Sequence, residues 1–176
     1  MLILVLVAIV LLLVLWFATT YNTLKRQQVK VQEAGSGIDV ALTKRYDLLT
    51  KLFDSAKGYL AQEQKTVLEA VRLRSQMPIQ EKQEAARQMD RASREISLVA
   101  EAYPELSSQK LFQELQRGVM DAEEHLQAAR RLYNANVSAL NQKVVSIPTN
   151  IVAGMAGVKQ APMFVAEGQK REDVKL

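Results

Sequence analysis

Cysteine is absent from this chain of 176 residues, and histidine occurs only once. Without cysteine there are no disulfides, no thiol nucleophile, no thiolate metal ligand and no lipid-modified cysteine anchor. With His125 as the single histidine, catalytic triads and multi-histidine metal sites lack their residues. A Glu-x-x-His di-metal motif is missing too, because position 122 is alanine. We therefore expect no enzymatic activity, no cofactor and no bound metal.

Clustered positive charge and strand patterns are also missing. The 23 basic and 19 acidic residues are interspersed, with a net charge of only +4, and basic pairs lack interleaved aromatic residues. This pattern disfavours nucleic acid as a partner. No segment alternates apolar and polar residues over the length of a strand, and none carries a hairpin signal. The predicted fold class is all-α.

What the chain does have is a long apolar run over its first eighteen residues, with no charged, amide or hydroxyl side chain. At about 1.5 Å per residue it reaches about 27 Å, close to the roughly 30 Å of bilayer hydrocarbon. We predict a single transmembrane helix over residues 1–20, with membrane lipid as a partner. The alternative of a cleaved signal peptide is disfavoured, because the run has neither a basic start nor small residues at its exit.

The exit from the membrane is marked by aromatic and basic side chains. Trp16 and Tyr21 bracket the interface, and Lys25 and Arg26 are the first basic residues of the chain. Amphipathic rings favour the headgroup level, and basic residues favour the cytoplasmic side. We expect a single-pass protein of the inner membrane with its N-terminus outside and its helical domain in the cytoplasm.

Residues 21–147 have the pattern of a helical bundle. Its first part, residues 21–37, is predicted to be a polar stalk and a kink. Gly35-Ser36-Gly37 predicts the kink, because two glycines in three residues disfavour a helix. Ser36 and Asp39 resemble a capping box at the start of the next helix. Apolar residues then recur at steps of three and four, in segments that end at Pro78, Pro104 and Pro148. Such segments predict an antiparallel bundle of three helices, or of four with the stalk.

The residues of these stripes are Leu42, Tyr46, Leu49, Phe53, Ala56, Leu60, Val67 and Val71 in the first segment, Ala85, Met89, Ala92, Ile96, Val99 and Tyr103 in the second, and Leu111, Leu115, Val119, Ala122, Leu126, Ala129, Tyr133, Val137, Leu140 and Val144 in the third. The outer face of the second segment has Asp90 four residues before Arg94, which predicts a solvated helix surface.

One polar group is the candidate for a role inside the bundle. Asp47 can pair within its own helix with Lys44 and Lys51, which would make it a surface residue. Alternatively it reaches across the bundle and fixes the register of two helices, a known use of partly buried ion pairs. The expected members of that packing layer on the long helix are Arg130, Arg131, Tyr133 and Asn134.

Residues 148–176 predict a C-terminal docking arm, because glycines and Pro162 interrupt a segment that is still partly apolar. The candidate docking residues are Met155, Met163, Phe164, Val174 and Leu176. The arm docks either on a neighbouring molecule or on its own bundle. The polar stalk gains too little from burial to be stable alone in water, so we also expect neighbouring copies to cover it in a homo-oligomer.

Several blocks of this sequence occur together and in order over nearly the whole chain. They are Tyr21-Asn22, Ile38-Asp39-Val40, Lys44-Arg45-Tyr46-Asp47-Leu48, Lys57-Gly58-Tyr59, Ala102-Tyr103-Pro104-Glu105-Leu106, Ala129-Arg130-Arg131-Leu132-Tyr133-Asn134 and Pro148-Thr149-Asn150. In these blocks the chain resembles the LemA family. The resemblance implies one N-terminal membrane span, an antiparallel helical bundle in the cytoplasm, and no established enzymatic activity or cofactor. The chain departs from the family pattern at Gly35 to Gly37, where a tryptophan is common, and at Thr50-Lys51.

These observations together favour a non-enzymatic membrane protein that acts as a structural scaffold through self-association or partner binding. The alternative is a regulatory or sensory adaptor for a membrane protease or signalling protein. In either case the expected partner besides lipid and further copies is a membrane protein.

Overall fold

The computed structural model describes residues 1–60, 67–68, 71, 73 and 77–165, and all regular structure in these ranges is helical. This confirms the all-α prediction for the described part of the chain. The elements, numbered along the chain, are α1 Leu2–Ser55, α2 Ile79–Ala102, α3 Pro104–Ser107, α4 Lys110–Val145 and α5 Thr149–Met155. The antiparallel bundle stays a prediction.

Helix α1 begins with the apolar run. An 18-residue window near the N-terminus has a mean hydropathy of 3.2, and none of its residues is buried by the described part of the protein. Within the described ranges, α1 is the one helix long and apolar enough to cross a membrane. The side chains of a core helix would be buried on at least one face. The exposure of this run from Met1 to Trp16 therefore fits a membrane anchor.

The predicted kink at Gly35-Ser36-Gly37 is wrong, because α1 continues through these residues without a break. Ser36 therefore lies in the helix interior and not at the start of a helix. Two glycines cost the helix about 1 kcal/mol each, but Ala34 and Ile38 on either side of them are buried. The Gly35 carbonyl also accepts a hydrogen bond of 3.0 Å from the Lys82 ammonium group. Tertiary packing thus outweighs the local cost of glycine.

The prediction that the helix after Ile38 continues to Pro78 is also wrong, because α1 ends at Ser55. The chain then turns, with the Tyr59 N–H donating to the Ala56 carbonyl at 2.8 Å. Leu60 and Val71 are buried, as predicted, but neither lies on α1. The spacing of these residues by three and four positions therefore predicted their burial correctly, but it placed the end of the helix incorrectly.

The stripes of α2 and α4 are mostly confirmed. The stripe of α2 is buried from Ala85 to Val99, although Tyr103, beyond the end of the helix, is 40% exposed. In α4 the buried face includes Val119, Ala122, Leu126, Val137 and Leu140. The predicted first position, Leu111, is 60% exposed, and Phe112 is buried in its place. The stripe is therefore shifted by one residue in the first turn of α4.

The chain forms two compact units, and their boundaries fall within α1 and α4. The first unit consists of Met1–Ala34 and Leu132–Met163, and the second of Gly35–Arg131 with the described part of Phe164–Leu176. This division differs from the predicted domains 1–20, 21–147 and 148–176, which stay predictions. Each unit is described by itself below.

The first unit has a small apolar core in which the stalk takes part. Leu24 is buried together with Leu140, Val152, Ala153 and Val158. Phe17 and Val31 of α1 pack against this cluster at its edges. The stalk contacts that we expected from neighbouring copies therefore come from the same chain. Homo-oligomerisation stays a prediction, but exposure of the stalk no longer supports it.

The segment after α5 is held by a glycine turn. Gly157 has a φ of 66°, a conformation that favours glycine. The Val158 N–H donates to the Ala153 carbonyl at 2.9 Å and the Gly157 N–H to the Gly154 carbonyl at 3.3 Å. These bonds form the Schellman motif that commonly ends a helix, and Val158 and Ala153 supply its apolar contact.

Candidate functional site

The second unit contains a buried cluster of charged side chains. Arg45 of α1 is 3% exposed and Arg130 of α4 is 8% exposed. The Nη1 atom of Arg45 lies 2.7 Å from an Asp90 carboxylate oxygen on α2 and 2.8 Å from a Glu123 carboxylate oxygen on α4. The other Glu123 oxygen is 3.9 Å from Arg130 Nη1. The cluster therefore connects α1, α2 and α4 through four side chains, whose formal charges sum to zero.

Helical spacing places these charged residues at core positions. Arg45 follows buried Leu42 by three residues and precedes buried Leu49 by four. Glu123 and Arg130 are seven residues apart, close to two turns, so both project from one face of α4. An arginine at a stripe position is the sequence signal that could have identified the cluster.

Arg45 takes part in the cluster through ion pairs that lack the geometry of hydrogen bonds. The contacts of Arg45 Nη1 are short, but they do not have the geometry of a hydrogen bond. The Nε–H groups of Arg45 and Arg130 also have no hydrogen-bond acceptor within the described chain. Burial lowers the pKa of the Arg130 guanidinium, and the carboxylates of Glu123 and Asp90 oppose that shift. An arginine nevertheless keeps its charge at physiological pH. The cluster therefore consists of two buried guanidinium groups neutralised by two partly buried carboxylates.

An aromatic ring from the C-terminal segment covers one of these ions. The Arg130 guanidinium carbon lies 4.6 Å from the centre of the Phe164 ring, and Phe164 is 4% exposed. Attraction between a cation and a ring face is stronger when both are removed from water. Phe164, predicted to be a docking residue of the arm, is thus buried within the second unit beside Arg130.

A second buried ion pair lies elsewhere in the same unit. Lys82 of α2 is 6% exposed, and its ammonium nitrogen lies 2.8 Å from an Asp39 carboxylate oxygen. Together with the bond to the Gly35 carbonyl, this pair joins α2 to α1. Lys82 was missed from the sequence, although it stands at the core spacing between Ile79 and Ala85.

The structure corrects the predicted register pair. Asp47 is exposed, and the carboxylate near Arg130 is that of Glu123. Asp47 lies two residues after Arg45, a rotation of about 200° around the helix, so the two side chains point in nearly opposite directions. Asp90, expected on a solvated surface, instead binds Arg45. Arg131 is exposed.

Asp47 instead lines an open groove of about 830 Å³ in the second unit. Lys44, Lys51, Leu73 and Met77 also line this groove. Val40, on the same face of α1, is 70% exposed at its edge. The groove therefore combines apolar surface with charges of both signs.

Tyr133 and Asn134 belong to the first unit. The Tyr133 hydroxyl donates a hydrogen bond of 2.9 Å to the Pro162 carbonyl, and burial raises the pKa of this phenol. The Asn141 side chain bonds both the N–H and the carbonyl of Ala161, at 2.8 and 2.9 Å. Residues 158–162 thus pack on their own chain. Of the other predicted docking residues, Met155 and Met163 are exposed, whereas Val174 and Leu176 lie outside the described residues.

The predicted membrane-interface residues lie along one stretch of α1. Trp16 and Tyr21 are 37% and 38% exposed. The Lys25 ammonium lies 5.6 Å from the centre of the Tyr21 ring, and Arg26 is exposed.

His125, the single histidine, is exposed on α4. The described residues contain no group of three or more histidine, cysteine or acidic residues able to hold a metal.

The described residues define an all-helical fold in which α1 begins with an exposed apolar run and buried ion pairs lie between helices. The sequence model of the LemA family matches residues 34–176, so the chain belongs to the LemA family. The chain is also similar to Protein LemA of Metamycoplasma hominis, with 28% identity over 162 residues, 87% of this chain and 72% of that protein. The resemblance found in the sequence is therefore confirmed.

Proposed function

We propose that this LemA family member is a non-enzymatic scaffold of the inner membrane. In this proposal the apolar part of α1 spans the bilayer once, and the rest of the chain is held at the cytoplasmic surface. There it binds other proteins or further copies of itself. The observation that carries the proposal is the exposed apolar run at the start of α1, because a run of this length and hydropathy is able to span a bilayer and hold the rest of the chain at its surface.

The orientation is supported by the basic residues after the span. Lys25, Arg26 and Lys30 follow it closely, and basic residues next to a span favour the cytoplasmic side. Because the chain has no cysteine, a single Glu124→Cys substitution at an exposed site gives an unambiguous label. A membrane-impermeant thiol reagent should label this cysteine only after the inner membrane is opened. Labelling of spheroplasts with an intact membrane would reverse the topology.

The non-catalytic role is supported by the use of the charged groups. Arg45, Glu123 and Arg130 contact one another and are buried or partly buried, so they act on the protein itself. The ion pairs of Arg45 with α2 and α4 also favour the proposed bundle of α1, α2 and α4. A domain held together in this way suits a fixed binding surface better than a closing active site.

The groove beside Asp47 is the surface that we propose for protein partners. Exposed Val40 supplies apolar contact, while Lys44 and Asp47 supply charges of both signs that a protein surface is able to match. A photoreactive amino acid at Val40 should form crosslinks to protein in intact membranes. The same amino acid at exposed Glu124 of α4 is the control.

The products of the Val40 crosslink identify the kind of scaffold. A ladder of the protein's own multiples indicates self-association, and a constant second protein indicates an adaptor. If that second protein is a protease or signalling protein, the regulatory alternative replaces the scaffold. A protein that remains a monomer in mild detergent, with no crosslink at Val40 above the Glu124 control, contradicts the proposal.

A further inference from the structure

Helix α5 and the turn before it expose large apolar side chains close to the stretch of α1 that marks the membrane exit. Ile147, Ile151 and Met155 are 84%, 60% and 73% exposed. Ile151 and Met155 are four residues apart and share one face of α5. Val152 and Ala153, on the other side of this short helix, are buried. Helix α5 is thus apolar on both sides, and the described residues of the protein cover only one of them.

The position of α5 along α1 is fixed by contacts within the first unit. Val152 and Ala153 of α5 belong to the core cluster that includes Leu24, and Phe17 packs against the same cluster. Thr149 at the start of α5 and Lys143 at the end of α4 line one small cavity with Thr19, Thr20 and Thr23 of α1. The start of α5 therefore lies at the level of Thr19 to Leu24, between Trp16 and Lys25.

That level is the membrane interface if α1 spans the bilayer. Tryptophan and tyrosine rings favour the headgroup layer, and the first charged side chain of α1 is that of Lys25. At this depth, any side that the protein leaves uncovered faces lipid headgroups and the upper acyl chains. Apolar side chains gain from insertion there, whereas the same side chains in water would gain nothing.

The charged residues around α5 are consistent with a position at the membrane interface. Lys143 precedes it, Lys159 follows it and is exposed, and the described residues from 143 to 165 include no acid. Basic side chains near a membrane surface are attracted to anionic headgroups. An apolar face with basic residues on both sides is the usual composition of an interfacial segment.

We infer that α5 is a second membrane contact, which inserts Ile147, Ile151 and Met155 into the interfacial layer of the bilayer that α1 spans. This inference rests on the proposed membrane anchor. In this inference, the part of the predicted docking arm that forms α5 binds lipid and not a protein partner. The C-terminal end of α4 would then be attached to the bilayer independently of α1.

Because the chain has no cysteine, nitroxide labels at single introduced cysteines test this inference in the full-length protein. The protein is placed in vesicles of phosphatidylcholine and phosphatidylglycerol, and collisions with oxygen and with a water-soluble nickel complex are measured. Ile151→Cys and Met155→Cys are the test positions. Leu132→Cys is the matched control, because Leu132 is 60% exposed in the same unit but lies about 16 Å along α4 from Lys143. Leu11→Cys reports on the anchor itself.

The labels at 151 and 155 should have an oxygen-to-nickel collision ratio several-fold above that at 132 and below that at 11. A ratio at 151 and 155 equal to that at 132, with 11 in lipid, overturns the inference and leaves the anchor intact. Exclusion of both reagents from 151 and 155 also overturns it, because protein then covers the face. A water-exposed label at 11 overturns the anchor and the inference together.

A second measurement does not depend on the nitroxide. The chain has a single tryptophan, Trp16, so Trp16→Phe combined with Ile151→Trp gives one fluorescent reporter on α5. Lipids brominated near the headgroup end of the acyl chain should quench it several-fold more than lipids brominated near the methyl end. Trp16→Phe with Leu132→Trp should be insensitive to both. Equal, weak quenching at 151 and 132 contradicts the inference.

Discussion

The two units of this protein use different chemistry in their interiors. The core of the first unit is apolar around Leu24 and Leu140, and its C-terminal segment is held by neutral side-chain bonds from Tyr133 and Asn141. Among its described residues, the second unit instead buries the charged side chains of Arg45, Lys82 and Arg130. Removing one partner of a neutral hydrogen bond lowers the free energy of unfolding moderately, whereas removing one partner of a buried ion pair is strongly destabilising. The units should therefore respond differently to mutation.

The largest effect is expected in the second unit from Glu123→Ala. This change leaves two buried guanidinium groups with Asp90 as the remaining carboxylate of the described cluster, and it should cost about 4 kcal/mol of unfolding free energy. Urea unfolding followed by circular dichroism measures the loss, and hydrogen exchange should locate it in the second unit. Glu124→Ala, at the exposed neighbour, is the control. Equal stability of the two variants would mean that the ions contribute nothing.

Replacing the buried ions together sharpens the comparison. A variant with Arg45→Met, Glu123→Leu and Arg130→Met removes both buried guanidinium groups and leaves only the carboxylate of Asp90, whose side chain is 36% exposed. It should be clearly more stable than Glu123→Ala alone, because buried ion networks often exchange for apolar residues at little cost. If it is less stable, the cluster contributes more than mutual neutralisation.

The first unit should lose most from a cavity. Leu24→Ala removes a fully buried side chain from the apolar cluster and should cost about 3 kcal/mol. Val29→Ala, at a half-exposed position of the same helix, should be nearly silent. Hydrogen exchange should show the loss of protection around Val152 and Val158. Loss confined to the second unit would contradict the division of the chain.

A smaller effect is expected from the neutral bonds of the first unit. Asn141→Ala removes both bonds to Ala161 and leaves that backbone N–H without its partner, at a cost of about 2 kcal/mol. Exposed Gln142 offers the matched change Gln142→Ala. Faster proteolysis between α5 and Phe164 in the first variant only would support the assignment, and equal rates would oppose it.

The smallest effect depends on pH. Tyr133→Phe should cost about 1 kcal/mol at neutral pH by removing the bond to the Pro162 carbonyl. Burial raises the pKa of Tyr133 in the folded chain. The stabilisation is therefore fully present below about pH 10, the unfolded value, and is lost as the pH rises through the folded pKa. Stability measured from pH 8 to 11 should fall less in Tyr133→Phe than in the parent, and parallel curves would contradict the assignment.

The helices were largely predictable because burial on one helical face leaves a period in the sequence. Met89 and Ile96 of α2 and Leu126 and Val137 of α4 are buried as that period predicts. Local signals failed where tertiary contacts compete with them. The glycines at 35 and 37 predict a kink, yet burial of the flanking residues and the bond from Lys82 keep the helix intact.

The buried cluster was only partly predictable. Arg130 was named correctly as a member of a buried ion cluster, but the carboxylate nearest to it is that of Glu123 on its own helix, and the residue that pairs across helices is Arg45 and not Asp47. Spacing along one helix tells which face a charge occupies, and it would have selected Arg45 over Asp47. The choice of partners between helices depends on their relative register, which one sequence does not contain. Asp90 illustrates this limit, since its spacing to Arg94 suits a surface pair equally well.

The most direct test of the membrane anchor is a scan of single nitroxide labels along α1, from Leu4 to Lys30, in the full-length protein in lipid vesicles. The labels up to about Trp16 should favour oxygen over the nickel complex on every side of the helix. From Phe17 onward the accessibility should vary with a period of about 3.6 residues, because Leu24 and Val31 face the core of the first unit. Water accessibility should rise sharply near Lys25. A 3.6-residue period of burial within the first sixteen residues, or water accessibility throughout them, would contradict the anchor.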